Sequence, residues 1–243
     1  MKTGVLIQAR MRSTRLPGKV LLPFCGSTIL GVIAGKVLKS FPHLDVVICT
    51  STHPDDDAIA AYAQSLEIPV FRGSELDVLE RFLAAADGFG FDRIVRVCAD
   101  NPFLDMQFLQ ELITFADASP EADYWSFADG DTPSIKTHYG FFTEVVKTSA
   151  LHDVARQTQD MCYREHVTNF VYSSGLFDCR FIQIPDWINK HRFLRLTVDD
   201  ENDFALALQL YAARPDLREL VNLVLSDEKL SDQMAKNIEK YSK

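Results

Sequence analysis

Long apolar runs, paired cysteines and glycine-rich phosphate motifs are all missing from this 243-residue chain. No stretch approaches the roughly 20 apolar residues that a membrane span requires, and the apolar run behind Met1-Lys2-Thr3-Gly4 is too short for a signal-peptide core. The cytoplasm is therefore the expected location, with no membrane partner. The five cysteines, Cys25, Cys49, Cys98, Cys162 and Cys179, are odd in number and include no C-x-x-C pair. That weakens zinc and disulfide readings and leaves reduced, mostly buried thiols as the expectation. Positive charge is also short: 25 Lys and Arg against 34 Asp and Glu give a formal net charge of -9. No broad basic face for nucleic acid is expected, although one nucleotide needs only a local cationic cluster. The P-loop pattern fails around Gly18-Lys19, where Ser13 replaces its first glycine and Val20 its Ser/Thr, and no G-x-G-x-x-G follows any strand. Repeats and low-complexity tracts are absent too.

What is present is an alternation of short and long apolar periods. Val5-Leu6-Ile7, Val46 to Cys49, Pro69 to Phe71 and Ile94 to Cys98 read as strands. Helical patterns follow them at about 29–38, 57–66, 76–86 and 106–116. Such β-α alternation predicts a parallel sheet covered on both faces, with ligands bound beyond the carboxyl ends of its strands. From about Asp123 to Pro185 the pattern shifts to strands at 124–127, 141–146 and 181–184, with a helix at about 163–172. No linker-like composition flanks that segment, so it reads as an inserted lobe of one domain. Arg195 to Val198 reads as a returning strand, 202–212 as its helix, and the tail from Asp227 as a polar helix with few apolar anchors.

The segment Gln8-Ala9-Arg10-Met11-Arg12-Ser13-Thr14-Arg15-Leu16-Pro17-Gly18-Lys19 follows the first strand directly. A solvated basic loop reads this way. Cations at a strand's carboxyl end in an acidic protein also suit a triphosphate, since Arg offers planar forks and Lys a mobile point charge. Ser13, Thr14 and Gly18 let backbone amides come close to an anion.

The same segment resembles the signature of the CMP-sugar synthetases, most closely the spore-coat-polysaccharide type of cytidylyltransferase. Further blocks resemble that family in the same order: Phe71 to Phe82, Val95 to Asp105, Arg164 to Thr168 and Arg195 to Asp199. The resemblance implies an α/β, Rossmann-like nucleotide-diphospho-sugar transferase fold, mainly parallel in its sheet, with helices on both faces. It implies a single domain over 1–243 with an inserted acceptor and dimerisation lobe at about 123–190, working as a homodimer. It further implies Mg²⁺-dependent transfer of CMP from CTP to a sugar or sugar-like acceptor, acidic or phosphorylated, with release of pyrophosphate.

Carried onto matching positions, Lys19, Arg10 and Arg15 would offset the triphosphate charge beside Gln8, Ala9 and Ser13. Arg72, Gly73, Ser74, Asp77 and Arg81 would hold cytosine and ribose. Asp100 and Asp199 would be the magnesium ligands, which suits an ion that takes one or two carboxylates plus phosphate oxygens and water. The inserted segment supplies Lys136, His138, Tyr139, Glu144, Arg164 and His166 as candidate acceptor contacts, a set suited to an anion set among hydroxyls. Duller readings stand beside several of these. Asp77 suits an early-turn acid, Asp199 a helix N-cap and His166 a helix-terminal histidine. Asp55-Asp56-Asp57 and Asp129-Gly130-Asp131 resemble the D-x-D of metal-dependent glycosyltransferases, but a helix start and a turn explain them. Departures from the family pattern are Arg12 for a usual Gly, Asn101 for a frequent Cys, and Phe142 where an Asp is expected. A glycosyltransferase using a ready-made nucleotide sugar, or a non-catalytic nucleotide-binding relative, are the competing readings.

Overall fold

The computed structural model describes residues 1–213 and 216–241. Its strands are β1 (Thr3–Gln8), β2 (Pro23–Phe24), β3 (Ser27–Thr28), β4 (Asp45–Ser51) and β5 (Val70–Gly73) in the first part of the chain. They are followed by β6 (Arg93–Cys98), β7 (Tyr124–Asp129), β8 (Thr132–Pro133), β9 (Glu144–Lys147) and β10 (Cys179–Gln183). The main sheet runs β10-β7-β9-β6-β1-β4-β5, with β8 folded back on β7, and β2 and β3 form a separate hairpin. β1 pairs in parallel with β4 and β6, and β4 with β5, whereas β9 lies antiparallel between β6 and β7. The sheet is thus mainly parallel and helix-covered, as the β-α alternation implied. The segment expected as an inserted lobe supplies β7 to β10, all of which extend this one sheet.

Burial on both faces explains why β1 and β4 read as unbroken apolar runs rather than alternating ones. Along β1, Val5 and Ile7 enter one core and Leu6 the other, the period-2 consequence of a pleated strand. One core packs helices Ile29–Ser40, Met106–Ala118, Glu201–Ala212 and Leu217–Ser226 on the sheet, and the other packs Val78–Phe89 and Thr148–Gln157. Side chains cap these helices where loops leave the sheet: Asp77 accepts from Glu80 N–H, Asp105 from Gln107 and Phe108 N–H, and Asp200 from Asp203 N–H.

Several expectations need correction. Arg195 to Val198 is not a strand. It is extended chain pinned by Leu196 N–H to His138 O at 3.0 Å and Val198 N–H to Asp100 O at 2.9 Å. The helix expected at 163–172 is two short ones, Met161–Glu165 and Asn169–Ser173, because the chain breaks at Val167, whose φ is +38°. The tail helix, Glu228–Tyr241, is anchored rather than loose: Met234 is fully buried, and Leu230 and Asn237 are each 8% exposed. Among the cysteines only Cys49 is buried, and Cys25 and Cys162 are exposed.

Candidate active site

The basic loop begins where β1 ends and is held from both sides. Ala9 N–H continues the ladder to Cys49 O at 3.1 Å, and Met11 N–H donates to Asp56 Oδ1 at 2.7 Å. Asp56 is 1% exposed and also accepts from Ser51 N–H and Oγ–H, so the middle acid of Asp55-Asp56-Asp57 is a post for this loop, not a metal ligand. Gly18 closes the loop by donating its N–H to Met11 O at 2.7 Å. Its φ of +70°, together with Met11 Cε only 3.2 Å from where a Cβ would sit, favours glycine there. A 3₁₀ turn, Lys19–Leu21, then carries Lys19 inward while Leu16 and Val20 anchor the loop in the core. The loop is thus solvated at Arg10, Arg12 and Arg15 but anchored in the core at Leu16, Lys19 and Val20.

Lys19 is 9% exposed, and its ammonium has three acceptors: Asp100 Oδ2 at 3.1 Å, Asp199 Oδ1 at 3.4 Å and Val198 O at 2.7 Å. Burial works against its charge, but Asp100 and Asp199 outweigh burial and raise its pKa above the usual 10.5. Burial likewise opposes the Asp199 carboxylate, yet Lys19, Arg15 and Arg195 hold its pKa below the usual 3.8. Arg15 reaches Asp199 Oδ1 at 2.8 Å, and Arg195 reaches Oδ2 at 2.7 Å. Asp199 is no N-cap; Asp200 takes that role.

Two cavities meet over these groups. One, of about 250 Å³, is lined by Gln8, Arg10, Ser13, Thr14, Arg15 and Lys19. The other, of about 220 Å³, is lined by Asn101, Ser134, Lys136, His138, Phe142 and Thr197. Both have Cys98, Asp100 and Asp199 in their walls. The first is cationic and suits phosphates; the second mixes hydroxyls, an amide, an ammonium and an imidazole with an aromatic wall. Two carboxylates that share one ammonium form a hard, oxygen-only donor pair, which fits Mg²⁺ provided that phosphate oxygens and water complete its shell. Among the described residues no group of three or more His, Cys, Asp or Glu side chains is placed to hold a metal by itself.

The other candidates fall in three places. Arg72, Gly73, Ser74, Asp77 and Arg81 cluster around the end of β5, two strands along from β1 and its basic loop. Arg72 donates to Ser51 O at 2.9 Å and pairs with Asp57 at 2.6 Å. Ser74 Oγ accepts from Asp77 N–H at 3.0 Å, and Arg81, 1% exposed, braces the same turn through Ser74 O at 2.6 Å. Arg164 joins this group rather than the acceptor side, because its Nε donates to Asp77 Oδ2 at 2.5 Å. Glu144 is removed from the acceptor set by burial: it is fully covered, paired with Arg96 at 2.6 Å, and accepts from Tyr124 and Thr168 hydroxyls. Tyr139 is 3% exposed and spends its hydroxyl on Asn189, and His166 is an exposed residue closing the helix Met161–Glu165. Of the acceptor candidates, only Lys136 and His138 line the second cavity. Arg12 turns away to Glu75, and Asp129 is tied to Asn189 and Arg192.

Sequence reasoning missed four contributors. Asn101 Oδ1 and Thr197 Oγ1 are buried in the wall of the second cavity without a partner. Buried polar atoms rarely stay so; Asn101 Oδ1 can only accept, whereas the Thr197 hydroxyl can donate or accept. Arg195 and Asp203 were missed because their spacing from Asp199 acquires meaning only once the extended segment 195–198 is in place. The i, i+4 step from Arg195 to Asp199 and on to Asp203 was the available signal.

A family model described as cytidylyltransferase matches residues 4–237. The spore coat polysaccharide biosynthesis protein SpsF of Bacillus subtilis is 34% identical, over 90% of this chain and 92% of its own. A solved cytidylyltransferase from Leptospira borgpetersenii superposes with a TM-score of 0.80 at 28% identity, covering 95% of this chain and 96% of its own. A CMP:2-keto-3-deoxy-manno-octonic acid synthetase solved with CTP shares the fold, with a TM-score of 0.66 at 13% identity, over 88% of this chain and 100% of its own.

Proposed function

The chain belongs to the cytidylyltransferase family, and on that premise we propose that it transfers CMP from CTP to a single sugar-sized acceptor. The observation that carries this reading is the pair of cavities walled in common by Asp100 and Asp199. A triphosphate lying along Arg10, Arg15 and Lys19 brings its α-phosphorus to that shared wall, and an acceptor between Lys136 and His138 meets it from the other side. The new bond joins an acceptor oxygen to the α-phosphorus as the α–β bridging bond breaks, and the electron pair leaves on pyrophosphate. Holding both reactants in line supplies much of the rate, and the cations of the loop stabilise the charge that grows on the leaving group. Asp100 and Asp199 would hold Mg²⁺, whose chemistry there is to polarise the phosphate and shield its charge. SpsF is a polysaccharide biosynthesis protein by name, which supports a CMP-activated sugar for surface glycoconjugates as the product here.

A glycosyltransferase acting on a ready-made nucleotide sugar has no need of this cationic loop. The deciding experiment incubates the purified protein with each of four nucleoside triphosphates, Mg²⁺ and a panel of sugar acids and sugar phosphates, reading pyrophosphate. CTP-selective, acceptor-dependent release is expected. Equal release from all four triphosphates, or none with any acceptor, overturns the reading.

A further inference from the structure

We infer that Arg195 holds His138 as a fixed hydrogen-bond donor toward the acceptor, so that His138 orients the acceptor and takes no proton from it. The inference deepens the proposed cytidylyl transfer and rests on it for the identity of the second cavity's ligand.

The Arg195 side chain is fully buried. Its Nη1 lies 2.8 Å from His138 Nδ1. A guanidinium has only donors and stays charged, so Nδ1 must accept. A neutral imidazole that accepts at Nδ1 carries its proton on Nε2. Burial and the Arg195 charge depress the His138 pKa by more than Asp199 and Asp203 raise it, in keeping with that geometry.

The guanidinium is not free to swing away. Its Nη2 donates to Asp199 Oδ2 at 2.7 Å and Asp203 Oδ2 at 2.9 Å, and its Nε to Asp203 Oδ1 at 3.2 Å. Asp203 is held in turn by Asn237 Nδ2 at 2.8 Å, from the tail helix. The histidine's backbone is pinned as well, since His138 O accepts from Leu196 N–H at 3.0 Å. Gly140 permits that approach: at φ +72°, a Cβ there would stand 2.8 Å from the Leu196 carbonyl carbon.

With Nδ1 turned to Arg195, the Nε2–H edge is the one left for whatever enters the cavity. That edge and Lys136 are donors, while in the same wall Asn101 Oδ1 is an unpartnered acceptor and the unpartnered Thr197 hydroxyl can donate or accept. The two donors, the Nε2–H edge and Lys136, suit an oxygen lone pair or an anion on the bound molecule. The proton of an attacking hydroxyl then passes to water rather than to this imidazole.

Two measurements test the inference. In protein labelled with ¹⁵N-histidine, long-range ¹H–¹⁵N spectra at pH 7 should show His138 neutral and protonated at Nε2. Arg195→Lys and Arg195→Met should shift it toward a mixture of tautomers. A wild-type His138 protonated at Nδ1, or at both nitrogens, overturns the inference without reference to turnover. The second measurement uses the acceptor found in the pyrophosphate screen. His138→Gln, whose amide reaches the place of Nε2, should retain at least tenfold more kcat/KM than His138→Asn, whose amide stands nearer Nδ1. Equal effects of Gln and Asn overturn the donor role. If the screen finds no acceptor, the cytidylyl-transfer reading falls, and the spectra still decide the histidine's state.

Discussion

Replacing Lys19 by Met tests the centre of the site, because one substitution should register in both stability and turnover. Lys19 is a nearly buried ammonium with three acceptors, so its removal leaves two carboxylates facing each other without their shared cation. A charged hydrogen bond contributes about 1.5–3 kcal/mol. Asp100 and Asp199 keep 31% and 20% of their side chains exposed, so water recovers part of each loss. The net cost should be about 1–3 kcal/mol, a fall in Tm of roughly 3–10 °C for a chain of this size. Catalysis should suffer more: losing a preorganised charge beside the leaving group lowers kcat/KM by about 10²-fold or more. Differential scanning calorimetry and the pyrophosphate assay read the two effects. Divalent cations should also raise the Tm of Lys19→Met more than that of the wild type, since the ammonium shared by Asp100 and Asp199 no longer competes for their oxygens. Unchanged Tm together with turnover within a few-fold of wild type would refute the whole arrangement around Lys19.

Three further outcomes follow from the same structure. Glu144→Ala breaks a fully buried pair with Arg96 and should cost about 3–5 kcal/mol, seen as a large drop in denaturation midpoint; a drop under about 1 kcal/mol would return Glu144 to the surface. Arg164→Ala should raise the KM for CTP several-fold and leave the acceptor KM within about twofold, because Arg164 is hydrogen-bonded to Asp77 on the nucleotide side; the opposite split would reassign it. Burial lowers the Lys36 pKa from 10.5 to about 8, so between those values the unfolded chain binds the extra proton and stability rises with pH. Across that window the wild type should gain up to about 3 kcal/mol relative to Lys36→Met, measured by urea titrations at several pH values; parallel curves would remove the shift.

Much of this site was legible because it is local. Gln8 to Lys19 is a contiguous loop, so its run of cations behind an apolar strand could be read whatever the course of the rest of the chain. Asp100 was legible for the same reason, standing just past the end of β6. The second cavity was legible only at Lys136 and His138, because its wall also draws on Asn101 and Thr197, far apart in sequence and placed by the extended segment 195–198. Glu144 matched a family position by type, yet its strand turns it toward Arg96 and the core. The tail helix looked polar because its few apolar residues are spaced to grip one groove, and burial of Leu230, Met234 and Asn237 was hidden in that sparse pattern. The helix at 163–172 failed on one backbone angle at Val167 that no composition rule anticipates.

The wall common to the two cavities bears on inhibitor chemistry. A bisubstrate compound, with a polyphosphate surrogate on one arm and a polyol on the other, would span both chambers across Asp100 and Asp199. Its second arm would bind at an effective concentration set by a short tether rather than by dosing. Selectivity among relatives would then come from the polyol arm, where Asn101 and Phe142 depart from the family pattern, while the other arm would serve mainly as an anchor.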